Sequence, residues 1–156
     1  MLTLDTASFS GKIVFAGVGN VLKGDDGFGP LLAGELTGRV SFRVFDAGMA
    51  PENYLGLIAG ERPDTIIFAD TGDFGGEPGE LRLFGREDLS DSSFFLTHNS
   101  SLSLLFEFIA EEGVRADVFI ICVQPVSLAL GEGLSAEVND GMKKMAGWFI
   151  GNYPAL

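Results

Sequence analysis

The sequence predicts one α/β domain in which a twisted, mostly parallel sheet is flanked by helices, giving three layers, α/β/α. The first observation is that apolar runs of strand length alternate along the chain with amphipathic segments of helical period. The second is size, because 156 residues fit one compact domain. The third is composition: 46% hydrophobic residues and a mean hydropathy of +0.28 suffice for a sizeable core.

The chain begins with a strand and a helix. Lys12–Val18 is apolar and partly β-branched, which predicts a buried strand ended by Gly19. Apolar residues then recur at helical spacing before Gly38, and we expect them in the core. These residues are Phe28, Leu31, Leu32 and Leu36.

The middle of the chain repeats this alternation. Val40–Asp46 alternates with a period of two, as a half-buried strand does. Pro51 can begin a short helix, because the N–H that proline lacks is one that a first turn leaves unpaired. Asp64–Asp70 follows as a buried strand. We expect the apolar residues of the short helix in the core as well, and they are Tyr54, Leu57 and Ile58.

The last third supplies an edge strand, two helices and a central strand. Glu80–Phe84 follows a glycine-rich loop and suits a sheet edge, and Asp117–Val123 is a further buried strand. Ser100 or Ser101 can cap a helix that Gly113 ends. The final helix has one apolar face, formed by Val138, Met142, Met145 and Phe149.

Charge and cysteine content exclude several functions. Ten Lys and Arg against 22 Asp and Glu give a net charge of −12, so the basic footprint of a nucleic-acid binder is missing. Binding to anionic membrane surfaces is disfavoured for the same reason. No apolar run reaches the length of a membrane-spanning helix. The N-terminus does not resemble a signal peptide, and the single Cys122 excludes an internal disulfide. We therefore expect a cytoplasmic protein without membrane insertion.

Polar residues fall where the carboxyl ends of the predicted strands meet. Asp26 follows the first strand, Asp46 closes the second, Asp70 closes the third, and His98 precedes a helix. Ligands of open parallel sheets bind at this edge. Two carboxylates and an imidazole suit a cation such as nickel or zinc, and three ligands leave positions for substrate. Turn-forming or capping roles for Asp26, Asp46 and His98 are the alternative.

Other chemistries fit the sequence less well. The Gly17-Val18-Gly19-Asn20 loop lacks the third glycine of a dinucleotide site and the Gly-Lys-Ser/Thr ending of a phosphate loop. A thiol protease built on Cys122 and His98 is disfavoured, because Cys122 lies in the most apolar strand. A serine triad has no G-x-S-x-G elbow to support it.

The motifs taken together resemble the maturation endopeptidases of NiFe-hydrogenases, in the branch that serves formate hydrogenlyase-type, energy-converting enzymes. The likeness covers nearly the whole chain, so that residues 1–156 would form one such domain. It rests on five segments in order: Gly17–Asn20 with Gly24–Pro30, Asp46–Asn53, Ile66–Asp70, Thr97–Asn99 and Val123–Pro125.

This resemblance implies an activity and a site. Members of the family remove a C-terminal extension from the precursor of the hydrogenase large subunit after nickel insertion. Asp26, Asp70 and His98 match the metal-contacting and catalytic positions, with nickel carried by the substrate and cadmium or zinc able to replace it in vitro. Asp46 matches a residue that lines the substrate site, although Ala47 stands where the family motif has glycine. The family also implies a monomer that engages a larger partner.

A phosphoacceptor receiver domain is the alternative from another functional class. Such signalling modules have an acidic pair after strand one, an Asp closing strand three, a Ser or Thr closing strand four, and a Lys before a proline after strand five. The chain offers Asp25-Asp26, Asp70, Thr97 and Pro125, but Gln124 replaces the lysine that pairs with the phosphoryl group. A catalytically silent member of the protease fold is a third hypothesis.

Overall fold

Five strands lie side by side in the computed structural model, which describes residues 4–90, 95–96 and 110–156. Their order is β2-β1-β3-β6-β4, and a short β5 pairs with the end of β3. β1, β2, β3 and β6 are parallel, whereas β4 and β5 pair antiparallel with their neighbours. The strands are β1 (Ile13–Val18), β2 (Arg43–Gly48), β3 (Thr65–Asp73), β4 (Leu81–Gly85), β5 (Phe95–Leu96) and β6 (Asp117–Val123).

Helices cover both faces of the sheet. The α-helices that lie wholly within the described ranges are α1 (Phe28–Leu36), α2 (Leu55–Gly60) and α3 (Ala136–Asn152). The 3₁₀ turns there are Thr6–Ser8, Gly24–Gly27, Pro51–Tyr54 and Arg86–Ser90. α1 and α3 pack on one face around Phe15 and Phe149, and Ile58 of α2 packs on the other beside Phe68. The predicted three-layer α/β fold with a mostly parallel sheet is confirmed. No helix in the described ranges has the length and apolar character needed to cross a membrane.

Two predicted strands, β2 and β3, have different ends in the structure. β2 begins at Arg43 because Val40 instead forms a bridge with Pro154 near the C-terminus. β2 also continues past Asp46 to Gly48, so Asp46 does not close it. β3 continues past Asp70 to Asp73, because its last two residues gain antiparallel partners in β5.

Two predicted core residues lie in solvent. Leu31 is 38% exposed and Leu57 is 56% exposed. Leu31 lies on the flank of the α1 face that Phe28, Leu32 and Leu36 turn toward the sheet, and in α2 only Ile58 is buried. The apolar face predicted for the last helix is confirmed in α3. The helix predicted after Ser100 falls mostly on residues outside the described ranges.

Candidate active site

The turn that carries Asp26 is held against the sheet by close backbone packing. A Cβ atom on Gly19 would collide with the carbonyl oxygen of Asp26. A Cβ atom on Gly29 would collide with the carbonyl oxygens of Val18, at the end of β1, and Ala69, within β3. Only glycine permits both approaches. The glycines of the first motif therefore press the 3₁₀ turn Gly24–Gly27 and the start of α1 onto the carboxyl edge of the sheet.

Asp26 lies at this edge and is only 3% exposed. Its Oδ2 accepts a hydrogen bond from the backbone N–H of Asn20 at 3.0 Å. The side chain of Asn20 in turn accepts from the N–H of Leu22 at 2.9 Å, which shapes the loop after β1. The Asp26 carboxylate is thus positioned by a backbone N–H group of this loop.

Asp25, next to it, is a structural anchor. Its Oδ2 accepts hydrogen bonds from the N–H groups of Val126 (2.8 Å) and Ser127 (3.2 Å) and from the hydroxyl of Ser135 (3.0 Å). Its Oδ1 accepts from the N–H of Ser135 at 2.7 Å. Ser135 also caps α3, since its Oγ accepts from the N–H of Val138. This carboxylate therefore ties the Asp26 turn to the loop after β6 and to the start of α3.

Asp70 is fully buried in β3, on the strand beside the Asp26 turn. Its Oδ1 accepts a hydrogen bond from the N–H of Thr71 at 2.8 Å. The hydroxyl of Thr71 donates to the backbone carbonyl of Asp25 at 2.9 Å. The two predicted carboxylates thus come from neighbouring segments that Thr71 joins directly.

Asp46 lies at the same edge but is exposed. It pairs with Gly17 of β1, and its Oδ1 accepts from the N–H of Gly48 at 3.2 Å, which is a local turn contact. The register shifts after this pair, and the positive φ that follows belongs to Gly48 (57°), not to Ala47. Alanine is therefore compatible with the backbone at the position where the family motif has glycine. A role in substrate binding stays a prediction for Asp46.

His98 lies outside the described residues, so the structure does not place the predicted third ligand. Within residues 4–90, 95–96 and 110–156, no three His, Cys, Asp or Glu side chains are grouped so as to hold a metal ion. The set Asp26, Asp70 and His98 stays a prediction. What the structure contributes is the juxtaposition of the segments that carry its two carboxylates.

Gln124 has a structural function at the position where a receiver domain has lysine. Its Oε1 accepts from the N–H groups of Phe74 (2.9 Å) and Gly76 (3.1 Å), and its Nε2 donates to Asp73 at 3.0 Å. The amide of Gln124, followed by the N–H of Gly75, lowers the pKa of Asp73. Gln124 thus holds the loop after β3 and offers no positive charge to a phosphoryl group.

Cys122 is enclosed in the core on β6. Burial, reinforced by the charge of Asp70, raises the pKa of the thiol well above 9.0. Its Sγ lies 3.8 Å from the carbonyl oxygen of Gly72. A thiol that stays protonated is a poor nucleophile. This argues against a cysteine protease, in agreement with the sequence analysis.

Sequence reasoning missed three residues of this region. Asn20 was noted only as part of a glycine loop, Asp25 only as half of an acidic pair, and Thr71 not at all. Two of them act through long-range contacts: Asp25 bonds to residues more than one hundred positions away, and Thr71 bonds to a residue 46 positions away. No local pattern of residues signals such contacts.

Comparison with known proteins identifies the family. A family model described as hydrogenase maturation protease (HycI) matches residues 31–151. The hydrogenase 3 maturation protease of Escherichia coli K12 is 31% identical over 137 residues, which is 84% of this chain and 86% of the relative.

Solved structures agree with this match. The crystal structure of the [NiFe] hydrogenase maturation protease HycI from Thermococcus kodakarensis KOD1 superposes with a TM-score of 0.76, 29% identity and 90% coverage of both chains. The solution structure of the endopeptidase HycI from E. coli gives a TM-score of 0.76, 26% identity and coverage of 94% of this chain and 97% of that one. With its motifs in order and both carboxylates on adjoining segments, the chain belongs to the hydrogenase maturation protease family.

Proposed function

We propose that this protein removes the C-terminal extension of a NiFe-hydrogenase large-subunit precursor, and that it recognises the nickel ion already inserted in that substrate. Membership of the maturation protease family supports an endopeptidase that acts in hydrogenase maturation. The structural observation that carries the proposal is the link from Thr71 to Asp25, which joins the segments of the buried Asp26 and Asp70.

The donor set suits such a substrate. Carboxylate oxygens and an imidazole nitrogen bind borderline divalent cations, and a metal centre held mainly by the substrate needs only a few ligands from the protease. Asp26, Asp70 and His98 are the residues proposed to provide them. Cadmium or zinc in place of nickel is compatible with the same donors.

The chemistry required of the chain is modest. A carboxylate oxygen of Asp26 or Asp70 accepts a proton from water as the water oxygen bonds to the carbonyl carbon of the cleaved peptide. The C–N bond then breaks, the proton passes to the departing amine, and a new C-terminal carboxylate remains on the large subunit. The positive charge of the substrate's metal ion, close to this carbonyl, favours the attack.

The proposal is tested by processing of purified, nickel-loaded precursor, followed by gel shift. Asp70→Asn keeps the shape of the side chain but removes its charge and its ability to accept the proton, so we expect processing to be lost. His98→Ala should lose it as well. Asp140→Asn is the control, because Asp140 is an exposed partner of Lys144 on α3. Unimpaired processing by Asp70→Asn would contradict the assignment.

A further inference from the structure

Exposed aliphatic side chains collect at one end of the molecule. Six of the eight exposed large hydrophobic residues in the described ranges follow β1, β2 or β6 or lie on the first turn of α1. Single exposed apolar residues are ordinary, but a cluster of them is typical of a binding surface. The six, called the apolar rim below, are Val21, Leu22, Leu31, Met49, Val126 and Leu130.

Backbone hydrogen bonds hold two segments of the rim together. The N–H of Gly131 donates to the carbonyl of Leu22 at 2.8 Å, and the N–H of Gly24 donates to the carbonyl of Gly131 at 2.9 Å. Leu22 and Leu130 therefore lie on neighbouring loop segments, and they are 54% and 85% exposed. The rim is thus fixed to the turn Gly24–Gly27, which carries Asp26.

The other members border the same turn. A Cβ atom placed on Gly27 would lie 3.6 Å from side-chain carbons of both Val21 and Leu31. Val126 donates its N–H to Asp25, inside the turn. Met49 follows Gly48, whose carbonyl accepts from Gly19 at the start of the loop. Each rim residue is therefore linked by one or two contacts to the segments around Asp26.

The opposite end of the sheet has a different character. There Glu61 lies 3.1 Å from Lys12 and 3.7 Å from Arg43. Asp64 accepts from the backbone N–H of Lys12 at 2.7 Å. Charged side chains lie at that end, and Leu156 is the exposed aliphatic residue near it, whereas the group of six lies at the end with the candidate active site.

We propose that the apolar rim binds aliphatic residues of the precursor that flank its cleaved bond, presented as an extended segment. This inference rests on the proposed function. A protease must hold the chain beside the bond it cuts, and at this site the surface beside Asp26 is aliphatic. A second copy of this chain on the rim would cover the Asp26 turn and block the site, so the substrate is the occupant that fits.

The test is steady-state processing of nickel-loaded precursor by Leu130→Ser and Leu22→Ser. The control is Leu57→Ser on α2, because Leu57 is 56% exposed and lies outside the rim. We expect KM to rise at least about tenfold in the two rim variants, as for residues at the centre of an interface, with kcat unchanged. A synthetic peptide that spans the cleavage junction should inhibit the wild type and inhibit Leu130→Ser more weakly.

The outcomes separate the two proposals. If the wild type processes the precursor but the rim variants keep the KM of Leu57→Ser, the rim does not bind substrate and the inference is wrong, while the proposed function stands. A wild-type dimer that dissociates in Leu130→Ser without a change in KM would assign the rim to self-association instead. Absence of processing by the wild type would overturn the proposed function and this inference with it.

Discussion

Replacement of Asp25 by alanine tests how the Asp26 turn is held. The change removes a carboxylate that is 1% exposed and accepts four hydrogen bonds from the loop after β6 and from Ser135. The turn would then lose its side-chain contacts with the loop and with the start of α3, while the backbone bonds from Asp25 to Ser127 and from Gly24 to Gly131 remain. We expect a loss of stability together with a loss of processing, since Asp26 is carried by the same turn.

The magnitude follows from those contacts. A hydrogen bond to a charged group contributes about 1.5–3 kcal/mol, so four would sum to about 6 kcal/mol or more. Neighbouring contributions are not additive, and water can enter the space left by alanine. We therefore expect about 3–5 kcal/mol for Asp25→Ala, less than that sum, because buried N–H and hydroxyl donors are left without their acceptor. In a chain of this size each kcal/mol lowers Tm by about 2–4 °C.

Differential scanning calorimetry and urea unfolding measure this effect. Asp140→Ala is the matched control, because its only described ion pair, to Lys144, is at the surface and should contribute less than about 0.5 kcal/mol. Asp25→Asn keeps the side-chain shape and one acceptor oxygen, so its loss should be intermediate. If Asp25→Ala unfolds no more easily than Asp140→Ala, the anchoring role of Asp25 is refuted.

Three further predictions test other parts of the structure. Gly29→Ala should destabilise the protein by about 1–3 kcal/mol, because a Cβ atom at this position has no space. Gly34→Ala in the same helix has open space and should stabilise the protein by about 0.5–1 kcal/mol. Urea unfolding of both variants measures the two effects. Gln124→Ala should raise the pKa of Asp73 toward 3.8 in an NMR titration, and an unchanged Asp73 titration would contradict the contact. In the wild type the lowered pKa of Asp73 stabilises the fold above pH 3.8. That contribution is lost as the pH falls through the pKa of the folded state. Cys122 should not react with thiol reagents at pH 8 until the protein unfolds, and Cys122→Ala should still process precursor; rapid labelling of the native protein would contradict its burial.

The sequence predicted the elements of the fold well because their signals are local. Apolar runs identified all four parallel strands, and β4 was expected at an edge and is found there. Ends of strands were less predictable, since they depend on partners far along the chain. β3 passes Asp70 because β5 extends its pairing, and β2 starts late because Val40 pairs with Pro154.

The residue types of the site could be predicted, but the residues that position them could not. Asp26 and Asp70 could be singled out because parallel strands end at a common edge, and the structure places their segments side by side. Leu31, expected in the core, instead joins an exposed surface, because helical spacing alone does not show which flank of a helix meets the sheet. Family membership favours a protease over a receiver domain, and the uncharged Gln124 agrees with that choice.

Intact-mass spectrometry of the precursor after incubation with this protein tests the central claim most directly. Nickel-loaded and nickel-free precursor are compared under the same conditions. If this protein recognises the nickel of its substrate, only the loaded precursor loses the mass of its C-terminal extension. Equal loss from both forms would contradict nickel recognition, and no loss from either would contradict the proposed activity.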